Sequence, residues 1–210
     1  MALDELQFNY YPKKKTVVFW NTFTGPLTPN IITELENKKV KIVQFGRDFN
    51  ASIDELPDCV ETINLYYRFQ QPILKFPTSL LNIRFGNDYP HRINCWTSSI
   101  KNVDVANNYH IIEGLPPYIE KLNIQNSYID CAYSYKYLPY LPINLKFLTI
   151  GYVQIYEVDG ILPPNLEVFH IGILSVYNMT EKVEDKELPE TLKEIYTFRK
   201  NDFLTQILVE

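Results

Sequence analysis

Glycine is scarce in this chain, 7 of 210 residues, and histidine and cysteine number only 3 each. No glycine cluster makes a phosphate-cradling loop, and no Gly-x-Ser-x-Gly elbow occurs. His91, His110 and His170 stand far apart and share no HExxH or Cys–His spacing, which excludes the familiar zinc frameworks. Cys59, Cys95 and Cys131 are odd in number and follow no ligand spacing. They fit free thiols in a reducing compartment better than a disulfide framework. No catalytic, cofactor-binding or metal-binding residue is therefore assigned. Positive charge is also in deficit, with 20 Lys and Arg against 25 Asp and Glu for a net charge of −5. A nonspecific nucleic-acid binder needs a basic face, and Lys13-Lys-Lys15 is too short to supply one. No apolar run approaches the roughly 18 residues of a membrane span, and the acidic start lacks the apolar core of a signal peptide. The expectation is a soluble cytoplasmic protein with neither a nucleic-acid nor a membrane partner. On that expectation the sequons Asn50-Ala-Ser52 and Asn178-Met-Thr180 read as accidental.

What is present is a repeat, the first thing to seek in any chain. Leu-Pro, two residues, an aliphatic, two residues, an aliphatic, one residue, an aliphatic recurs along the chain. It runs as Leu56-Pro57…Val60…Ile63…Leu65, then Phe76-Pro77…Leu80…Ile83…Phe85. It returns at Leu115-Pro116, Leu141-Pro142, Leu162-Pro163 and, fading, Leu188-Pro189. Val40…Val43…Phe45 and Ile100…Val103…Val105 keep the aliphatics without the proline. Successive anchors are 20, 20, 20, 19, 26, 21 and 26 residues apart. The aliphatic-x-aliphatic pair has period 2, so both side chains share one face of a short strand. Strands recurring in one direction at that interval stack in parallel, and no single unit can bury its own apolar face.

The expected fold is therefore a leucine-rich-repeat-like solenoid. It has a parallel sheet of about eight short strands, mostly irregular connections and few short helices. Proline, with no N–H to offer a ladder, suits the corner leading into each strand. Gly46, Gly86, Gly151 and Gly172 follow the strands, where freedom to take positive φ would help the chain turn. Phe49, Phe69, Tyr89, Tyr109 and Tyr128 recur four residues after the last strand aliphatic and should stack as a ladder. Residues 1–36 read as an N-terminal cap and first turn, 37–198 as the repeats and 199–210 as a C-terminal cap. In the first cap, Thr16–Trp20 is a candidate strand. Thr28-Pro29 then signals a helix start, with Ile31, Ile32 and Leu35 on its apolar face. In the last, Phe203, Leu204, Ile207 and Leu208 have helical spacing.

Two inserts lengthen the repeat. Residues 126–140 hold Tyr133, Tyr135 and Tyr137 among other tyrosines, and residues 180–187 are a charged run. Tyrosine supplies contact area at low entropy cost, which makes Tyr133, Tyr135 and Tyr137 candidate partner-binding residues. The other candidates come from the strands. Between the two inward aliphatics lies one outward residue per repeat, and Asn64, Arg84, Asp104, Asn123 and His170 head that set. Strands that alternate rather than run continuously apolar leave one face open.

Within this frame Phe45-Gly-Arg-Asp-Phe-Asn-Ala-Ser-Ile53 and Phe69-Gln-Gln-Pro-Ile73…Phe76-Pro-Thr-Ser-Leu80…Ile83-Arg-Phe-Gly86 resemble the FNIP repeat family. The resemblance spans roughly residues 37–198. It implies a leucine-rich-repeat-like solenoid of a kind abundant in amoebae and the large DNA viruses that infect them. It also implies an interaction scaffold, located in host cytoplasm or virion if viral, that binds a protein of unknown identity. A self-assembling, virion-type structural protein is the alternative, so an oligomer is possible. A carbohydrate-active enzyme on a parallel β-helix would need clustered carboxylates or basic residues on adjacent rungs, and on the central column Arg84 beside Asp104 is the only such pair, an ordinary ladder contact of opposite charges.

Overall fold

Each Leu-Pro-x-x-aliphatic segment is a β-turn that leads straight into a strand. The proline carbonyl accepts the N–H of the aliphatic three residues on. These bonds are Val60 to Pro57 at 3.0 Å, Leu80 to Pro77 at 3.1 Å, Leu145 to Pro142 at 3.1 Å and Leu166 to Pro163 at 3.0 Å. Only an acceptor is needed at that corner, so the missing N–H of proline is no loss. The turn survives where the motif has decayed, with the Ile100 N–H on the Thr97 carbonyl at 3.1 Å.

The structure is a computed structural model and describes residues 7–87, 89–106, 109–124, 141–153, 162–173, 189–199 and 205–208. The chain folds as two compact units, Met1–Ile111 and Ile112–Glu210. The first contains β1 (Phe8–Tyr11), β2 (Thr16–Phe19), α1 (Pro29–Asn37), β3 (Ile42–Gln44), β4 (Thr62–Asn64), β5 (Asn82–Arg84) and β6 (Asn102–Val105). A single-turn helix α2 (Tyr109–Ile112) runs across the boundary in the chain. The second unit contains β7 (Lys121–Ile124), β8 (Phe147–Val153), β9 (Val168–Ile173), β10 (Glu194–Arg199) and β11 (Thr205–Leu208). Within each unit the strands lie in sequence order. β2 to β6 are parallel, as are β7 to β10, and the terminal strands β1 and β11 pair antiparallel with β2 and β10. Each unit is thus a leucine-rich-repeat-like stack of short rungs.

The eight strands expected from the repeat are β3 to β10. The register aligns Val43, Ile63, Ile83 and Val103 in the first unit. In the second it aligns Leu122, Leu148, Phe169 and Ile195. The second aliphatics Phe45, Leu65, Phe85, Val105, Ile124 and Ile150 are buried beside them. At the corners before β3 to β6 and β8 to β10 one carbonyl accepts two successive N–H groups. Lys41 O takes those of Glu61 and Thr62 at 2.8 and 2.9 Å, and Glu61 O those of Leu81 and Asn82. Glu120 O, Lys146 O and Glu167 O do the same in the second unit. Both carbonyl lone pairs are used, so no amide is orphaned where the ladder begins.

The aromatic stripe forms the expected ladder over its described members. Ring centroids are 5.7 Å apart for Phe23–Phe49, 6.0 Å for Phe49–Phe69 and 5.8 Å for Phe69–Tyr89, all stacked. Phe23 extends the column by one rung beyond the sequence reading. The side chain of Tyr109, and all of Tyr128, lie outside the described residues. Burial pushes the Tyr89 phenol up to about 12, and its hydroxyl donates to the Gln71 carbonyl at 3.1 Å.

α1 begins as the sequence indicates. Thr28 is its N-cap, its hydroxyl oxygen accepting the Ile31 N–H at 3.4 Å, and Ile31 and Leu35 are buried. Two expectations are corrected, and one strand is new. The C-terminal segment is not helical: Thr205–Leu208 is a strand that hydrogen-bonds the edge of β10, with Ile207 opposite Ile195. An exposed parallel edge offers a full row of partners, which outweighs the weak helical spacing of four apolar residues. β1 was not foreseen and covers the opposite edge in the same way. The glycines act differently too. Gly151 and Gly172 lie within β8 and β9, Gly151 at a bulge between Ile150 and Tyr152. Gly46 and Gly86 do not take positive φ. A Cβ on Gly46 would collide with the Trp20 backbone, and one on Gly86 with the Tyr66 backbone. Close approach of successive turns, not a left-handed conformation, requires glycine there.

Candidate functional site

A strand three residues long, buried at its middle position, must turn its flanking residues away from the core. In the first unit this creates two outward columns. Gln44, Asn64, Arg84 and Asp104 are paired rung to rung, and so are Ile42, Thr62, Asn82 and Asn102. Arg84 is exposed and the other seven are half-buried. The structure therefore brings together three of the candidate residues, Asn64, Arg84 and Asp104, on consecutive rungs about 4.8 Å apart. The second column is hydrogen-bonded from Thr62 to Asn102. Asn82 Nδ2 donates to Thr62 Oγ1 at 2.9 Å, and Asn102 Nδ2 to Asn82 Oδ1 at 2.5 Å. That chain fixes one edge of the surface, beside the Arg84 column.

The second unit repeats the arrangement. Asn123, Thr149, His170 and Tyr196 form one outward column, and Lys121, Phe147, Val168 and Glu194 the other. Asn123 and His170 thus share a column two rungs apart. The His170 ring meets Tyr196 edge-on at 4.7 Å. Burial lowers the His170 pKa below its ordinary value, with Glu194 opposing and Lys121 adding to the shift. Tyr133, Tyr135 and Tyr137 lie outside the described residues, as does Cys131. Cys59 and Cys95 are free thiols, their Sγ atoms donating to the Val40 and Ile73 carbonyls at 3.4 Å.

Two features escaped the sequence reading. The position just ahead of strands β3 to β10, Leu81 before β5 excepted, is charged and carries ion pairs between rungs: Lys41–Glu61 at 2.6 Å, Glu120–Lys146 at 2.9 Å and Glu167–Lys193 at 2.6 Å. In the second unit the signs alternate over four rungs. The residue immediately before each of β7 to β10 is the signal that would have found it. The second feature is a shallow groove of about 580 Å³ at the bend after β3 and β4, lined by Asp48, Asn50, Tyr67, Arg68, Gln70 and Asn87. Its charged members are matched, with Arg68 Nη1 3.1 Å from Asp48 Oδ1. Among the described residues no three of His, Cys, Asp or Glu converge as a metal site would require. No described helix is long and apolar enough to cross a membrane.

No family model matches the chain, and no curated protein does. Among solved structures it is similar to the crystal structure of CroV588, described as a novel circular LRR protein structure. The TM-score is 0.40 and the identity 18%, over 93% of this chain and 41% of that one. The chain spans about two-fifths of the length of that neighbour.

Proposed function

We propose that this chain is a non-enzymatic protein-interaction scaffold built from FNIP-like, leucine-rich-repeat-like units. In this reading it works in the cytoplasm of an amoebal or virus-infected cell, or in the virion, and binds a host or virion protein through its outward sheet face. The observation that carries the reading is the Gln44–Asn64–Arg84–Asp104 column. It presents amide, guanidinium and carboxylate groups in fixed register, while the aliphatic core lies on the other side of the same strands. Amides offer donor and acceptor together, and a guanidinium next to a carboxylate gives direction to a complementary surface. Arg84 beside Asp104 is a pair of opposite charges rather than two carboxylates flanking a scissile bond, which favours recognition over glycoside chemistry.

The test is the double variant Arg84→Glu with Asp104→Arg. Net charge is unchanged, but a partner that reads the order of charges now meets like charges. Melting should stay at the parental value, while the protein captured by the parent from its native cell is lost. A folded double variant that captures the same protein would refute this face as the recognition surface and turn attention to Tyr133, Tyr135 and Tyr137.

A further inference from the structure

The outward face of the second unit holds a column whose chemistry changes along its length. Register places Lys121 beside Phe147, Phe147 beside Val168 and Val168 beside Glu194. Four rungs thus read basic, apolar, apolar, acidic. Phe147 is 42% exposed although its neighbour Leu148 is buried at 1%. With the half-buried Val168 beside it, Phe147 forms an apolar strip between two charges of opposite sign, the composition of a contact surface.

The adjoining columns do not share this character. On one side Glu120, Lys146, Glu167 and Lys193 alternate in sign and form ion pairs of 2.9 Å for Glu120–Lys146 and 2.6 Å for Glu167–Lys193. On the other side the polar residues Asn123 and Thr149 lead to the His170–Tyr196 ring pair. Lys121 and Glu194 are three rungs apart, about 14 Å at roughly 4.8 Å per rung, so they are too distant to neutralise each other.

An extended peptide advances about 3.4 Å per residue and turns alternate side chains to one surface. Laid across the strands along this column, its residues i, i+2 and i+4 fall about 7 Å apart and span about 14 Å. An acidic residue then stands over Lys121, an apolar one between Phe147 and Val168, and a basic one over Glu194. We infer that this strip docks an extended segment of a protein partner with the pattern acidic-x-apolar-x-basic, in either chain direction. The inference rests on the reading of the outward face as a protein-binding surface and names the chemistry of the bound segment. Phe147 is the anchor, and the two charges set specificity.

Fluorescence anisotropy of the full chain with labelled Gly-Glu-Thr-Leu-Thr-Lys-Gly tests it, against versions carrying Glu or Lys at both charged positions. The mixed-charge peptide should bind about tenfold more tightly than either like-charge version, because a like charge at one end repels. Phe147→Ala should lose binding of all three, and Lys121→Glu should move the preference to the peptide with two lysines. Melting confirms that these surface variants are folded. Equal affinity for the three peptides, no binding of any, or binding that survives Phe147→Ala overturns the inference. So does a dimer in sedimentation that Phe147→Ala dissociates, since the occupant would then be a second copy of this chain. The Arg84→Glu, Asp104→Arg variant should bind the peptide normally. If it loses the native partner while no peptide binds the parent, the scaffold reading stands and this strip does not.

Discussion

Asp54 Oδ1 accepts the backbone N–H of Leu74 at 2.9 Å, from a residue 20 positions further along the chain. The same oxygen takes the Lys75 N–H at 3.2 Å. Asn50 Oδ1 holds the Gln70 N–H and Asp58 Oδ1 the Thr78 N–H, both at 2.9 Å. Connecting segments with no regular structure therefore satisfy their amides one turn apart through short polar side chains. Asp54→Ala should lower unfolding free energy by about 1 kcal/mol, the usual net worth of such a bond, and Asp54→Asn by less because an acceptor remains. Urea melts decide it. Equal stability of all three proteins would show that water replaces the carboxylate without loss.

Glycine at position 86 is required by space. Gly86→Ala should destabilise by about 1–3 kcal/mol, since the added Cβ meets the Tyr66 backbone rather than a movable side-chain end. Gly86→Asn separates this account from a conformational one. Asparagine tolerates a left-handed backbone, so near-parental stability of that variant would restore the positive-φ explanation.

Leu148 lies at 1% exposure between Leu122 and Phe169 in register. Leu148→Asp buries a carboxylate with no partner, and cooperative thermal unfolding should be lost. A sharp transition near the parental midpoint would mean the inward and outward faces are assigned backwards.

The legible part of the fold is the part written locally. Pro57 and Val60, three apart, make a turn, and Ile63 and Leu65, two apart, make a strand face; neither needs knowledge of another rung. The amide-holding side chains of Asn50, Asp54 and Asp58 look in sequence like any solvated loop, because each partner is a whole repeat away. The Glu120–Lys146–Glu167–Lys193 column is hidden by the uneven intervals of 26, 21 and 26 residues. Ile207 and Leu208 misled because their spacing from Phe203 and Leu204 suits a helix, while the deciding factor is the open edge of β10. The candidate surface was legible as a face, from the alternation of Ile63, Asn64 and Leu65. The exposed Phe147 between Lys121 and Val168 became meaningful only with the register.

The charge column adds a pH dependence to the second unit. The hydrogen bond and charge of Lys193 hold the Glu167 carboxyl below its ordinary value of 4.5. The hydrogen bond and charge of Glu120 raise Lys146 above 10.5. A depressed carboxyl contributes stability that is fully present above its unfolded value and lost as pH falls through the folded one. A raised lysine contributes stability that is fully present below its unfolded value and lost as pH rises through the folded one. These pairs make melting temperature decline in acid and in alkali, and burial of the neutral His170 ring adds a loss as pH falls below its ordinary 6.5. Glu167→Gln should weaken the decline below pH 4.5. An acid limb unchanged in that variant would remove the ladder from the explanation.

The central claim is that recognition belongs to the outward strand face and not to the connections around it. A photoreactive amino acid in place of Asn64, on β4, can be compared with one in place of Leu74, which is 74% exposed in the connection to β5. After irradiation in the native cell, mass spectrometry identifies what each position has captured. The expected result is a discrete cross-linked protein from position 64 and none in common from position 74. Cross-linking of that protein from position 74 with none from position 64 would contradict it.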